Sequence, residues 1–369
     1  MALVLTEDEA MLADAARGLI DRAAPVAAFR AMRDGHSPTR HDPALLGQLA
    51  ENGLVAPNIA ERDGGIGLGA AAVGVIAEQA GHMLVAAPLL SAAMAAHVLG
   101  AIGSPAQKAR WLPAIMAGEA TVALAVEEAS RHDPDRLDAV ARADGDGFRI
   151  NGVKTAVIDG VGADAFLVLA RADSESRLFL VEAGAAGLSV EPITVFDSRN
   201  LARVSLADVS AEPLGSGDAA PVIAAALDLG RALLAAELLG IADEAFDRTV
   251  AYLKERKQFD RPIGSFQALQ HRAARLYARL DLARGVVLKA LRAIDEAAPD
   301  APQLVSLSKA LLTRLARDVL REAVHMHGGI GVTDEFDIGL FFKRARTAGE
   351  LLGDDSFHLE RLARERWQL

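Results

Sequence analysis

Three stretches of this 369-residue chain bring together residue types that can do chemistry. The first, GELLGDDSFHLERLARE at residues 349 to 365, sets Glu350, Asp354 and Asp355 just ahead of a helical run. A carboxylate there can take a proton from a group within hydrogen-bond reach, or it can cap the helix that begins near Ser356. Residue type alone leaves both roles open. The second stretch, ERKQFDRPIGSFQALQHRAARL at residues 255 to 276, contains Arg256. A guanidinium fork suits a dianionic pyrophosphate, and without one Arg256 is one of several solvated charges at a helix end. The third, HMHGGIGVTDEFDIGLFFKRAR at residues 325 to 346, contains the pair Gly328-Gly329. Glycine backbone N–H groups admit phosphate oxygens closely, although such a pair also stops a helix. With no cysteine, a thiolate nucleophile and a disulfide framework are excluded, and no metal site is expected.

The elements that must position these residues fall into three blocks. Residues 1 to 120 read as helices: Thr6 and Glu9 form a capping box, and apolar residues recur at helical spacing over Pro43 to Asn52, Ala70 to Ala80, Pro88 to Leu99 and Pro105 to Ala117. AERDGGIGLG at residues 60 to 69 is a loop. Residues 121 to 213 change to short strands over Thr121 to Val126, Phe148 to Ile150, Ala165 to Ala170, Arg177 to Val181, Leu188 to Pro192 and Ala202 to Val209. Turn residues such as Asp144-Gly145-Asp146-Gly147 separate them. Residues 218 to 369 return to long helices, over Ala219 to Gln258, Ser265 to Ala297 and Pro302 to His327. Their apolar stripes predict an antiparallel bundle. The fold class expected is α+β: an N-terminal helical domain, a small antiparallel β domain and a C-terminal antiparallel four-helix bundle.

Composition narrows the function classes. The chain is 51% hydrophobic, with a net charge of −11 and no basic block, which argues against nucleic acid. The N-terminus turns acidic at once and lacks a basic region followed by an apolar run, so no signal peptide is read there. The longest apolar stretches are broken by Asp228, Arg231 and Glu237 before reaching membrane-spanning length. A soluble cytoplasmic protein is expected.

The two signature segments, at 255 to 276 and 325 to 346, resemble those of the acyl-CoA dehydrogenases. ERDGGIGLG near the front, the β domain and a final helix ending ERLARERW follow in the expected order, so the resemblance covers nearly the whole chain. It implies FAD bound at a subunit interface, an acyl-CoA substrate, an electron-transfer flavoprotein as acceptor, and a homo- or hetero-oligomer. In that frame Arg256 contacts the pyrophosphate, Phe259 packs near the adenine-bearing half and Gln267 lies by the cofactor. Gly328 and Gly329 match the glycine pair that lets backbone approach it. His325 stands where Gln is usual, Ser356 where a Thr hydroxyl bonds a phosphate, and His358 where Gln follows. The reaction implied removes a proton from Cα while hydride leaves Cβ for flavin N5.

The chain also departs from the family pattern. Counting back from Arg361-Leu362 puts Asp354 at the position of the usual catalytic Glu, with Glu350 and Asp355 as the next candidates. Aspartate is shorter by roughly 1.5 Å of reach, which matters to proton transfer. The alternative base position falls at about Gly230, where there is no carboxylate. On the flavin side, VEEASRHDPD at residues 126 to 135 puts Glu127 where Thr is usual. KTAVIDG at residues 154 to 160 puts Ala156 and Ile158 where Trp and a hydroxyl residue are usual. Three alternatives to a complete dehydrogenase follow: a non-catalytic subunit completing a flavin site in a heteromer, an acyl-CoA-binding protein without redox activity, or an oxygen-using flavin oxidase.

Overall fold

The computed structural model describes residues 3–145 and 147–367, so Asp146 of the expected turn lies outside the described residues. The chain divides into two compact units, both discontinuous in sequence. A sheet unit comprises residues 28–73 and 86–230, and a bundle unit comprises residues 1–27, 74–85 and 231–369.

In the sheet unit, the helices start where their caps dictate. Asp42 accepts the Ala44 N–H at 2.9 Å and Pro43 opens α3 (Pro43–Glu51). Ser104 and Gln107 form a capping box on α6 (Pro105–Met116). Between them lie η1 (Glu61–Asp63), within the expected loop, and the apolar α5 (Leu89–Ile102). The strands are β1 (Val122–Ala125), β2 (Val140–Asp144), β3 (Gly147–Ile158), β4 (Ala165–Ala172), β5 (Glu175–Glu182), β6 (Leu188–Pro192) and β7 (Leu201–Leu214). β4, β2, β3, β7 and β5 close on themselves as a ring, since β5 pairs with both β7 and β4. Its inward faces bury Ile150, Phe166, Val168, Phe179, Val204 and Leu206. Most pairings are antiparallel, as the turn-rich pattern suggests. The exceptions are β1 on β4, and the single β2–β4 pairing at Val140 and Arg171, both of which run parallel.

The bundle unit holds α1 (Glu7–Ala23), α4 (Ala70–His82), α7 (Ala220–Glu255), α8 (Gln267–Asp295), α9 (Ala301–His327), α10 (Ile338–Glu350) and α11 (Asp355–Trp367), α4 and α7 each running in from the sheet unit. The Thr6 capping box on α1 forms as read from sequence. α7 stops at Glu255, short of the expected Gln258, because a hairpin of β8 (Lys257–Gln258) and β9 (Arg261–Pro262) takes over. Its turn residues Phe259 and Asp260 have φ of 54° and 61°, the signature of a tight hairpin turn without glycine. α10 and α11 both pack on α9.

α4 crosses α7 with almost nothing between the backbones. A Cβ on Gly240 would stand 2.0 Å from the Glu78 carbonyl oxygen, and one on Gly81 would stand 2.3 Å from that of Glu237. Around the crossing Arg284 of α8 donates to both Glu78 and Asp243. With His82, these two carboxylates form a group close enough to share a metal ion, but the guanidinium already supplies the positive charge there. Gly240→Ala is expected to destabilise the fold by about 1–3 kcal/mol through overpacking, read as a lowered denaturation midpoint; an unchanged midpoint would mean that the helices can slide apart freely. Among the described residues, no helix is long and apolar enough to cross a membrane.

Candidate active site

The segment carrying the candidate bases is a tight connection between α10 and α11. Leu352 and Gly353 both take positive φ, at 56° and 106°. Gly353 is required twice over, since a Cβ would stand 2.5 Å from Phe357 Cδ1. Two buried cations hold the connection by its carbonyls. Lys309 Nζ of α9 donates to Gly349 O at 2.8 Å and Gly353 O at 3.0 Å, and Arg231 Nε of α7 donates to Leu352 O at 3.1 Å. These are carbonyls that the end of α10 and the irregular turn leave without helical partners.

The three carboxylates divide by environment. Glu350 pairs with Arg346 at 2.9 Å on the surface. Asp355 accepts from Arg314 Nε at 2.6 Å and lies 3.5 Å from Arg317. Burial pushes its carboxyl up, but the Arg314 hydrogen bond and the two guanidinium charges outweigh this and hold it below the usual carboxylate range. Asp354, half-buried, has no ion pair to an arginine among the described residues; its Oδ1 accepts the Phe357 N–H at 2.8 Å. It therefore caps α11, one of the two roles that the sequence left open.

The cofactor candidates separate into a cluster and two outliers. The ends of α7, α8 and α9 are tied together: Tyr252 of α7 stacks on His327 of α9 with ring centroids 4.4 Å apart, and Arg272 of α8 lies 2.6 Å from His325 Nδ1. Arg256 follows the end of α7, Phe259 lies in the hairpin after it, Gln267 opens α8, and Gly328 and Gly329 follow the end of α9, so all five lie toward the same end of the bundle unit. Arg256 and Gln267 are exposed, and Phe259 is 86% exposed. A Cβ on either glycine would meet nothing within 4 Å, so the backbone there faces open space. His325 is exposed and engaged by Arg272. Ser356 is exposed on α11, but His358 is fully buried, with Nδ1 3.4 Å from Ser306 Oγ. His358 belongs to the packing between α9 and α11.

In the sheet unit, Glu127 is held by His132, whose Nδ1 meets its carboxylate, while the Thr155 N–H donates to its carbonyl at 2.8 Å. Glu128 accepts from the fully buried Lys154 and from the Asp138 and Ala139 N–H groups. Ala156 takes a positive φ of 49° and Ile158 is buried. Glu127 is therefore a paired carboxylate in a folded loop rather than the solvated strand-end charge that its residue type suggests.

Sequence reasoning missed Lys309 and Arg231. A signal for Lys309 was present: Val305, Lys309, Leu312, Ala316 and Val319 recur at spacings of four and three on α9, and all are fully buried. A lysine within such a stripe must find polar partners or forfeit its charge.

Comparisons with known proteins identify the family. Residues 6–119 match the family described as acyl-CoA dehydrogenase, N-terminal domain, and residues 218–366 match acyl-CoA dehydrogenase, C-terminal domain. The chain is 34% identical, over 98% of both chains, to acyl-CoA dehydrogenase IpdE2 of Mycobacterium tuberculosis. Among solved structures, it is similar to a variant of the Tcur3481-Tcur3483 steroid ACAD, at 32% identity, 98% of both chains and a TM-score of 0.90. It is also similar to the ChsE4-ChsE5 complex from Mycobacterium tuberculosis, at 27% identity, 100% of both chains and a TM-score of 0.92.

Proposed function

Since the chain belongs to the acyl-CoA dehydrogenase family, a family of oxidoreductases, we propose that it desaturates an acyl-CoA thioester between Cα and Cβ, with Asp354 as the base and FAD as the cofactor. The observation that carries the cofactor assignment is the gathering of Arg256, Phe259, Gln267, Gly328 and Gly329 at one end of the bundle unit. An exposed guanidinium, an exposed phenyl ring and two glycines whose backbone faces open space fit the pyrophosphate and adenine half of FAD. The flavin supplies a hydride acceptor. Asp354 takes the Cα proton. An electron-transfer flavoprotein is the proposed next acceptor. Arg256→Ala is expected to weaken FAD retention by roughly 10- to 100-fold, the loss of a charge-assisted contact. Flavin fluorescence titration of the purified protein checks this, and undiminished retention would remove Arg256 from the site.

A second reading is favoured by two observations. The paired Glu127–His132 and the residues Ala156 and Ile158 replace the groups usual beside the flavin ring, and the two solved relatives are both named as pairs of chains. On this reading the chain completes a flavin site in a heteromer whose ring pocket and base lie in a homologous partner. The absorption spectrum of the chain purified alone separates the two. A flavin band of about one per subunit supports the complete enzyme, whereas colour gained only on mixing with a homologous chain supports the half-site.

A further inference from the structure

The α10–α11 connection is four residues of irregular backbone, Leu351 to Asp354, and carbonyls in it and at the end of α10 are held by cations from two other helices. Lys309 is 0% exposed, and its ammonium group bridges Gly349 O and Gly353 O, with Thr313 Oγ1 3.5 Å away. Arg231 takes Leu352 O and stacks on the Phe357 ring, its guanidinium carbon 5.5 Å from the centroid. Asp354 follows directly on the clamped Gly353. Its side chain caps α11 through the Phe357 N–H at 2.8 Å, which ties the carboxylate to the backbone beside the clamp. We propose that Lys309 is a positioning residue: its charged ammonium group, with Arg231, fixes the backbone that sets the reach of Asp354, so that turnover depends on the charge of Lys309.

The proposal rests on Asp354 being the base, as read above. The groups facing Lys309 are Glu350 on α10, Asp354 and Asp355 at the start of α11, and Arg231 on α7. Ser306 and Thr313 flank it on α9, and Ser306 is shared with His358 and Arg361 of α11. Burial lowers the Lys309 pKa to about 7, the nearby Arg231 charge adding to the effect and the carboxylates opposing it. The clamp is therefore charged below neutrality and loses its charge-assisted bonds above it.

The experiment is the pH dependence of kcat and KM for the complete enzyme, with wild type, Lys309→Arg and Lys309→Met compared, and hydrogen exchange of residues 351–358 measured on the same proteins. The wild type is expected to lose kcat by roughly tenfold as pH rises through about 7. Lys309→Arg keeps its charge and is expected to lose that descending limb. Lys309→Met is expected to have kcat at least about tenfold lower throughout, KM little changed, and faster exchange confined to residues 351–358. A Lys309→Arg profile superimposed on wild type, or a Lys309→Met enzyme with wild-type kcat and exchange, overturns the proposal. Asp354→Asn run in parallel tells the two ideas apart. If it turns over normally while exchange at residues 351–358 still responds to Lys309, the base assignment fails and the clamp stands as a structural fact. If it is inactive while the Lys309 variants keep the wild-type profile, only the role of Lys309 fails.

Discussion

Asp354→Asn is expected to lower kcat by roughly 10²- to 10⁴-fold while changing stability by no more than about 0.5 kcal/mol. The two halves of that expectation come from the two jobs of one side chain. As a cap, Asp354 accepts the Phe357 N–H at 2.8 Å, and the asparagine carbonyl can accept the same bond. As a base, it must take a proton, which an amide does not. Asp354→Ala removes both and is expected to add about 1 kcal/mol of destabilisation to the loss of turnover. Steady-state kinetics on an acyl-CoA panel, with denaturation curves of the same preparations, check both. If Asp354→Asn retains full turnover in a complex with a homologous chain, the proton is taken by the partner and the residue is a cap alone.

The second large effect is on stability, and it follows from burying Lys309. Its pKa falls from the usual 10.5 to about 7 in the folded protein, with burial the leading cause. Between those two values the unfolded chain binds a proton that the folded chain has released, so folding becomes more favourable as pH rises. Below about pH 7 both states carry the proton and the penalty for burying the charge is fully present. The wild type should therefore gain about 2–3 kcal/mol relative to Lys309→Met between pH 7 and pH 9, within a total of about 5 kcal/mol over the whole interval. Parallel denaturation profiles for the two proteins across that range would show that the ammonium group is not desolvated as its burial implies. Stability and turnover then pull in opposite directions at this residue, because the charge that holds the connection is the one the interior disfavours.

What was legible in the sequence was what periodicity and caps control. The helices over residues 43–51, 70–82 and 105–116 follow from apolar spacing with Pro43, Pro105, Asp42 and Ser104 marking two of the starts. The hairpin after α7 was hidden because Phe259 adopts left-handed backbone that a phenylalanine rarely signals. β2 was hidden because Val140-Ala141-Arg142-Ala143-Asp144 has only one β-branched residue, and it is made a strand by pairing with β3. For the site, signature segments led to Arg256 and the glycine pair, whose exposed placement needs only the ends of three helices. His358 could not be placed the same way: its register on α11 turns it inward to Ser306, and a one-residue difference in helix phase decides that. The clamp by Lys309 and Arg231 joins residues far apart in sequence, so no local pattern announced it.

The helices translated early in the bundle unit are completed late. α1 and α4 belong with residues 231–369, while the residues that separate them belong mostly to the sheet unit. Gly81 of α4 fits only against Glu237 and Ile241 of α7, and Glu9 of α1 pairs with Arg292 of α8. On the ribosome, α4 must wait for about 150 further residues, on the order of 10–30 s of synthesis. During that time its apolar surface has no permanent partner, although the sheet unit can already close its ring. The nascent chain is thus exposed to chaperones and proteases through its first helices rather than its last, and synonymous changes that slow translation between residues 85 and 240 should lower the yield of folded protein more than the same changes placed after them.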